Sequence, residues 1–255
     1  MGTELKPSTD LDLDLGLAGK RALVTGGTRG LGRAVVRALA AHGANVVTCY
    51  RSAGEAARRL ADELAATGGD HHVVQADVTT PEGARRVADE CRARFGGLDV
   101  VVNNVGTMSR QPLAETTLDA WRHTMSVNLG ATFLVTRLTV PLLSTGASVI
   151  NLGTAAAARG LPGHSPYTAS KAGLAGLTRS LAKELGAAGV RVNLVNPGIL
   201  GGEVPVPPPQ ADHLRSLTAL GRLGTAEEVA GVVAFLAGDL ASYVTGATIT
   251  ADGGI

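Results

Sequence analysis

Arg21-Ala-Leu-Val-Thr-Gly-Gly-Thr-Arg-Gly-Leu-Gly32 is the stretch that decides the fold of this chain. A short apolar run leads into glycines at 26, 30 and 32, and an apolar-periodic stretch follows through Leu39. The order reads as a strand, a glycine-rich turn and the start of a helix. Glycine there permits positive φ and close approach to the backbone, while the first helical amides and the helix dipole favour an anion. A dinucleotide pyrophosphate needs all three. The spacing is Thr-Gly-x3-Gly-x-Gly, not the commoner Gly-x-Gly-x-x-Gly, and taken alone it is equally compatible with a tight turn.

Short apolar runs at 21–24, 45–49, 72–75, 98–102, 148–152, 191–195 and 248–251 read as strands. Segments 32–41, 54–66, 81–95, 113–143, 165–185 and 226–237 read as helices. Such alternation implies parallel pairing through helical crossovers, so the expected fold is α/β, a doubly wound parallel sheet of about seven strands with helices on both faces. In such sheets ligands bind beyond the carboxyl ends of the strands. Residues 26–32, Tyr50-Arg51, Asp77, Asn103-Asn104, Thr154 and Asn196-Pro197-Gly198 follow the first six runs in turn, so all fall on one edge.

A chain of 255 residues with 45% hydrophobic content is long enough for one α/β domain whose core needs neither metal nor disulfide. The expected division is a flexible arm over 1–18 and a single nucleotide-binding and catalytic domain over 19–255. Segment 201–219, with Gly201, Gly202, Pro205, Pro207, Pro208 and Pro209, reads either as a substrate lid around 199–220 or as a surface loop. A formal net charge of +1 without a basic block gives no sign of a nucleic-acid surface. The chain has no apolar run of the ~20 residues a membrane helix needs and no secretion signal, so a soluble cytoplasmic protein is expected. Cys49 and Cys91 lack a paired spacing and read as small buried residues in a reducing compartment.

Tyr167 and Lys171 stand four apart in Tyr-Thr-Ala-Ser-Lys, at the opening of an Ala/Gly/Leu-rich helical stretch. Residues with this spacing share a helix face, so an ammonium beside a phenol favours phenolate and lowers a pKa that is normally ~10. This is a proton donor usable near neutral pH, although such pairs also occur by chance on solvated helices.

An NAD-type site places a carboxylate at the end of the second strand, against the ribose hydroxyls. Here that position is Tyr50, followed by Arg51 and Ser52, with Thr28 and Arg29 in the glycine loop. Two guanidinium groups and small hydroxyls suit a 2′-phosphate, so NADP(H) is the expected cofactor. Asp77 and Val78 read as the edge of an adenine pocket, with an N-cap as the alternative for Asp77. His71 and His72, adjacent in a strand, point to opposite faces and cannot chelate one ion together. His42, His123 and His213 carry no ligand spacing, and no metal site is expected. His164, three residues before Tyr167, reads as a substrate contact or a loop residue.

These residues together resemble the short-chain dehydrogenase/reductase family, in its single-domain branch, from about Leu17 to Ile255. The matching pieces are Thr25-Gly-Gly-Thr-Arg-Gly-Leu-Gly32, Asp77-Val78, Asn103-Asn-Val-Gly106, Asn128, Tyr167-x-x-x-Lys171, Asn196-Pro-Gly198, Gly221-Arg-Leu-Gly224 and Asp252-Gly-Gly254. Among members the chain is most similar to 3-oxoacyl-(acyl-carrier-protein) reductases and polyketide-type ketoreductases. The resemblance implies that Tyr167 donates a proton to a carbonyl, Lys171 holds the nicotinamide ribose, and Asn128 holds a relay water. Thr154 stands where the family has a serine that orients the carbonyl. The implied cofactor contacts are Gly26, Thr28, Arg29, Gly30, Leu31, Gly32, Tyr50, Arg51, Ser52, Asp77, Val78, Asn104, Val105, Gly106, Tyr167, Lys171, Pro197, Gly198 and Leu200. Val105 replaces the usual alanine, and Gly202 replaces a threonine that binds the nicotinamide carboxamide, which leaves backbone groups of Ile199 and Leu200 for that task.

The implied function is NADPH-dependent reduction of a ketone, β-ketoacyl or polyketide-type, free or carrier-bound, to a secondary alcohol. The alternatives are a secondary-alcohol dehydrogenase working oxidatively and a low-turnover NADP-binding interaction protein. Family members usually form homotetramers through helices corresponding to 113–143 and 165–185 and the region near Ile255.

Overall fold

A computed structural model describes residues 14–52, 54–201 and 207–255. Seven strands form one sheet in the order β3-β2-β1-β4-β5-β6-β7. They are β1 Arg21–Thr25, β2 Asn45–Tyr50, β3 His71–Gln75, β4 Leu98–Asn103, β5 Leu143–Leu152, β6 Arg191–Pro197 and β7 Thr248–Ala251. Every pairing is parallel. The order reverses between β1 and β4, since the chain winds outward through β2 and β3 and returns to the other side of β1. A crevice opens at such a switch point.

Neighbouring strand residues serve opposite layers, as the two-residue side-chain period requires. Val24, Val46, Val102 and Ile150 join a core with Leu39, Val233 and Leu236. Leu23, Val47, Val101 and Val149 join a second core with Val87, Cys91 and Val135. Helices α1 Gly30–Ala41 and α9 Ala226–Ala237 cover the first face. Helices α3 Pro81–Phe95 and α5 Ala131–Thr139 cover the second. The remaining helices are α2 Glu55–Ala65, α4 Leu118–Met125, α6 Ala156–Arg159, α7 Ser165–Leu185 and α8 Pro208–Ser216.

Four boundaries depart from the sequence expectation. Segment 113–143 is not one helix: a short turn at Leu113–Glu115, α4, a π segment at Ser126–Gly130, α5 and a 3₁₀ turn at Val140–Leu142 follow one another. Thr117 caps α4 by accepting from the Ala120 amide, and Pro141 in the last turn cannot continue the helix. Strand β5 begins at Leu143, where it pairs with Leu98 before a register shift. Helices α6 and α8 carry too few apolar positions to announce themselves. At the N-terminus Leu17 is fully buried and Asp239 N–H donates to the Leu15 carbonyl, so the segment from Asp14 packs against the body instead of belonging to a loose arm.

Candidate active site

The glycine loop is shaped by close contacts that leave no room for side chains. A Cβ on Gly32 would sit 2.3 Å from the Gly26 carbonyl oxygen, and one on Gly27 would sit 2.1 Å from Thr48 Oγ1. Thr48 Oγ1 instead donates to the Val24 carbonyl at 2.7 Å and accepts from the Gly27 amide at 3.1 Å. Gly26 and Gly30 hold φ of 67° and 48°. Beyond the missing Cβ of Gly30 there is open space. Arg29, at the N-cap of α1, makes no capping bond with its side chain, and the first turn has no acidic residue. The opening amides of α1 thus meet no competing carboxylate and suit a phosphate.

The loop after β4 locks against this turn. Thr25 Oγ1 accepts from the amides of Asn104 and Val105 at 3.0 and 3.2 Å. Asn104 Nδ2 donates to the carbonyls of Thr25 and Gly26 at 3.0 and 3.1 Å. Asn104 thus works as a clamp, and Val105 packs over Gly26, 3.1 Å from where its Cβ would be.

A cleft of about 480 Å³ runs along this edge. Gly26, Thr28, Arg29, Leu31 and Gly32 form one wall, and Tyr50, Arg51 and Ser52 close one end. Asp77, Val78, Asn104, Val105 and Gly106 also line it. It also contains residues that the sequence does not place there: Cys49, Ala76, Thr79, Thr107, His123 and Val127. All but His123 and Val127 stand on strand ends or just after them, which was the available signal. Burial pushes the Cys49 thiol up to about 11, so it stays protonated at the cleft wall.

Asp77 is not a helix cap. Thr80 caps α3 by accepting from the Gly83 amide, while Asp77 Oδ1 accepts from the amide and hydroxyl of Thr79 at 3.0 and 2.7 Å. Burial alone would raise its pKa, but these bonds and the charges of Arg51 and His123 outweigh it and hold the carboxyl below the usual range. Its acceptor oxygens are therefore ionised beside the cleft.

Tyr50 ends β2 where a carboxylate would stand. Arg29 Nη2 lies 3.9 Å from where a Cβ of Gly54 would be, and Arg29 lines the cleft together with Arg51 and Ser52. This end of the cleft is cationic.

At the other end, Gly106 joins the cleft to the catalytic candidates. Its missing Cβ would lie 3.1 Å from Lys171 Nζ and 3.3 Å from Asn128 Oδ1. Lys171, on α7, donates from Nζ to the Leu152 carbonyl at the end of β5, at 2.7 Å. Burial lowers its pKa from 10.5 to about 8. Tyr167 lies one turn earlier on α7 and is half-buried. Asn128 sits in the π segment, a frequent device at functional sites. Its Oδ1 accepts from the Thr107 amide at 2.7 Å, and its Nδ2 donates to the Thr107 carbonyl and Ser170 Oγ at 3.0 and 2.8 Å. Ser170 in turn donates to the Tyr167 carbonyl at 2.7 Å. Both amide protons of Asn128 are spent, so a water held here must meet an acceptor, Oδ1 or the backbone carbonyl.

Thr154 follows β5 on the same edge. Its Oγ1 accepts from the Ala156 amide at 3.3 Å, which leaves the hydroxyl proton for another acceptor. His164 is buried at the N-cap of α7 with Nδ1 2.9 Å from the Pro162 carbonyl. Pro197 and Gly198 lie at the end of β6, and a Cβ on Gly198 would sit 2.5 Å from Asp252 Cα. The Leu200 side chain turns instead to a separate cleft with Leu220 and Val229. Gly202 lies outside the described residues, as does the start of the Pro-rich segment.

His71 and His72 part as expected: the first accepts from the Val46 amide, and the second pairs with Asp70 at 2.7 Å. Among the described residues no cluster of His, Cys, Asp or Glu is arranged to hold a metal. None of the described helices is long and apolar enough to cross a membrane.

The family model for enoyl-(acyl carrier protein) reductase matches residues 26–255. A 3-oxoacyl-[acyl-carrier-protein] reductase of Synechocystis sp. is 37% identical over 242 residues, covering 94% of this chain and 98% of that protein. The crystal structure of a blue fluorescent protein from a metagenomic library, in complex with NADPH, superposes with a TM-score of 0.90 at 40% identity, covering 94% of this chain and 98% of that one. A short-chain dehydrogenase/reductase of Serratia marcescens gives 0.89 at 35% identity, over 93% and 98% of the two chains. The glycine turn, the clamp after β4 and the Tyr167/Lys171 helix thus sit in a chain that belongs to the short-chain dehydrogenase/reductase family.

Proposed function

We propose that this chain is an NADPH-dependent ketoreductase that converts a β-ketoacyl or polyketide-type carbonyl, carrier-bound or free, to a secondary alcohol. The observation that carries the reading is the convergence at Gly106, where one end of the nucleotide cleft meets Lys171 and Asn128. The cleft fits a dinucleotide: its phosphate turn is open at Gly30, and its far end presents Arg29 and Arg51 with no carboxylate at Tyr50. A relative at 40% identity was crystallised with NADPH. When bound, the cofactor supplies the hydride.

The chain supplies the rest. Tyr167 gives its hydroxyl proton to the carbonyl oxygen as that oxygen gains negative charge, which is general acid catalysis by a positioned donor. Lys171, fixed by its bond to Leu152, would hold the nicotinamide ribose and pass a proton to the phenolate left behind. Thr154 donates its hydroxyl proton to the same carbonyl and orients it. Asn128 holds the water through which Lys171 recovers a proton. Tyr167, Lys171 and Gly106 would hold the nicotinamide half, together with the backbone of Pro197, Gly198 and Leu200. Residues 19–255 act as one catalytic unit whose segment around 199–220 covers the substrate.

The protein works in the cytoplasm as a homotetramer. The half-exposed Trp121 and the exposed Leu118 and Phe133 on α4 and α5 support assembly through these helices, and sedimentation tests it. A screen of NADPH oxidation with β-ketoacyl thioesters, cyclic ketones and small ketones tests the reaction. An enoyl thioester belongs in the same screen, because the matching family model is described by that activity. Ketone turnover supports the reading, whereas turnover of the enoyl thioester alone overturns it.

A further inference from the structure

We infer that Asn196 is a positioning residue that sets the Thr154 hydroxyl against the substrate carbonyl, and that Gly153 is the space that makes this possible. The inference rests on the role given to Thr154 above. Segment 153–155 leaves β5 but stays laced to β6: the Gly153 amide donates to the Val195 carbonyl and the Ala155 amide to the Pro197 carbonyl, both at 2.8 Å. The amide between them makes no backbone bond to β6. That amide belongs to Thr154, and it is taken by a side chain: Asn196 Oδ1 accepts from it at 3.1 Å.

Asn196 is 8% exposed, and its Oδ1 is the partner that holds the Thr154 amide in place. The amide oxygen reaches it by crossing the place where a side chain of residue 153 would stand. A Cβ on Gly153 would lie 2.1 Å from Asn196 Oδ1, and nothing larger than hydrogen fits. With its amide held by Asn196 and its Oγ1 accepting from the Ala156 amide, Thr154 has its backbone and one hydroxyl lone pair fixed. The hydroxyl proton remains to be donated. Asn196 touches neither the reacting atoms nor the phosphate turn, so its effect runs through Thr154.

The test is a double-mutant cycle on ketone reduction by the full-length protein, with kcat and the KM for NADPH measured for Asn196→Ala, Thr154→Ala and the double variant. Asn196→Ala is expected to lower kcat by about tenfold to a hundredfold, as a small misplacement of a positioned group does. The KM for NADPH should stay within about twofold, and in the Thr154→Ala background Asn196→Ala should add nothing. Gly153→Ala, which pushes the amide oxygen aside, should show the same dependence on Thr154 and serves if Asn196→Ala does not fold. A loss that persists undiminished without the Thr154 hydroxyl, or that appears equally in the KM for NADPH, overturns the inference. Full activity in both Asn196→Ala and Gly153→Ala also overturns it. If Thr154→Ala itself keeps full kcat, the role of Thr154 has failed as well. If only Thr154→Ala is impaired, the inference alone has failed.

Discussion

Lys171 Nζ lies 2.7 Å from the carbonyl oxygen of Leu152, so the helix that carries Tyr167 is pinned by a buried cation to the last residue of β5. The bond satisfies one of three donors on a group removed from water, and burial lowers the lysine to about 8. Between about 8 and 10.5 the unfolded chain binds more protons at this site than the folded one, so stability rises with pH across that window. The drop from 10.5 to about 8 corresponds to about 3 kcal/mol. Thermal melts of the cofactor-free protein and of Lys171→Met at pH 7 and pH 10 should show the wild type gaining on the variant at the higher pH. A constant gap contradicts the buried-cation account.

The cationic end of the cleft predicts cofactor choice. Arg29→Ala combined with Arg51→Ala should raise the KM for NADPH by about a hundredfold or more, since each charge-assisted bond to phosphate contributes about 1.5–3 kcal/mol. The KM for NADH should change little. Equal effects on both cofactors would remove the phosphate assignment.

Gly32→Ala tests the phosphate turn. Its Cβ would meet the Gly26 carbonyl at 2.3 Å and Asn104 Nδ2 at 2.5 Å, both parts of a rigid clamp, so the turn must open. NADPH affinity measured by fluorescence should fall by about tenfold or more, with a lower melting temperature from overpacking. Unchanged affinity would mean that the turn is not where the cofactor sits.

At the opposite, amino-terminal end of the sheet, Arg21 grips Asp99 through Nε and Nη2, both at 2.8 Å, and reaches Ser144 with Nη2. Burial would raise the Asp99 pKa, but the bonds from Arg21 and Ser144 outweigh it and hold the carboxyl below the usual range. Its contribution is therefore full above the ordinary ~3.9 and is lost as pH falls through the lowered folded value. Asp99→Asn should cost about 1–3 kcal/mol at pH 7, and the difference from wild type should shrink in acid. Urea titrations at pH 7 and pH 3 decide it.

Much of this was legible because the decisive signals are local. The turn around Gly26, Gly30 and Gly32, the strand ends and the four-residue spacing of Tyr167 and Lys171 all lie within single stretches of chain. The break at Ser126–Gly130 was not legible, because apolar periodicity runs through a π segment almost unchanged. The roles of Thr48, Thr107 and Asn196 also escaped notice. Thr48 and Asn196 bond backbone groups from other parts of the chain, Thr107 offers its own backbone to the Asn128 side chain, and nothing in their neighbourhoods says so. Asp77 read as a cleft residue with a helix cap as the alternative, and the bond from Gly83 to Thr80 separates the two.

The proton step is the centre of the account, and kcat for NADPH-driven ketone reduction by Tyr167→Phe measures it most directly. Phenylalanine keeps the ring and removes the hydroxyl, so kcat should fall by about a hundredfold or more while NADPH still binds. A variant that turns over at a rate comparable with the wild type would contradict the assignment of Tyr167 as the proton donor.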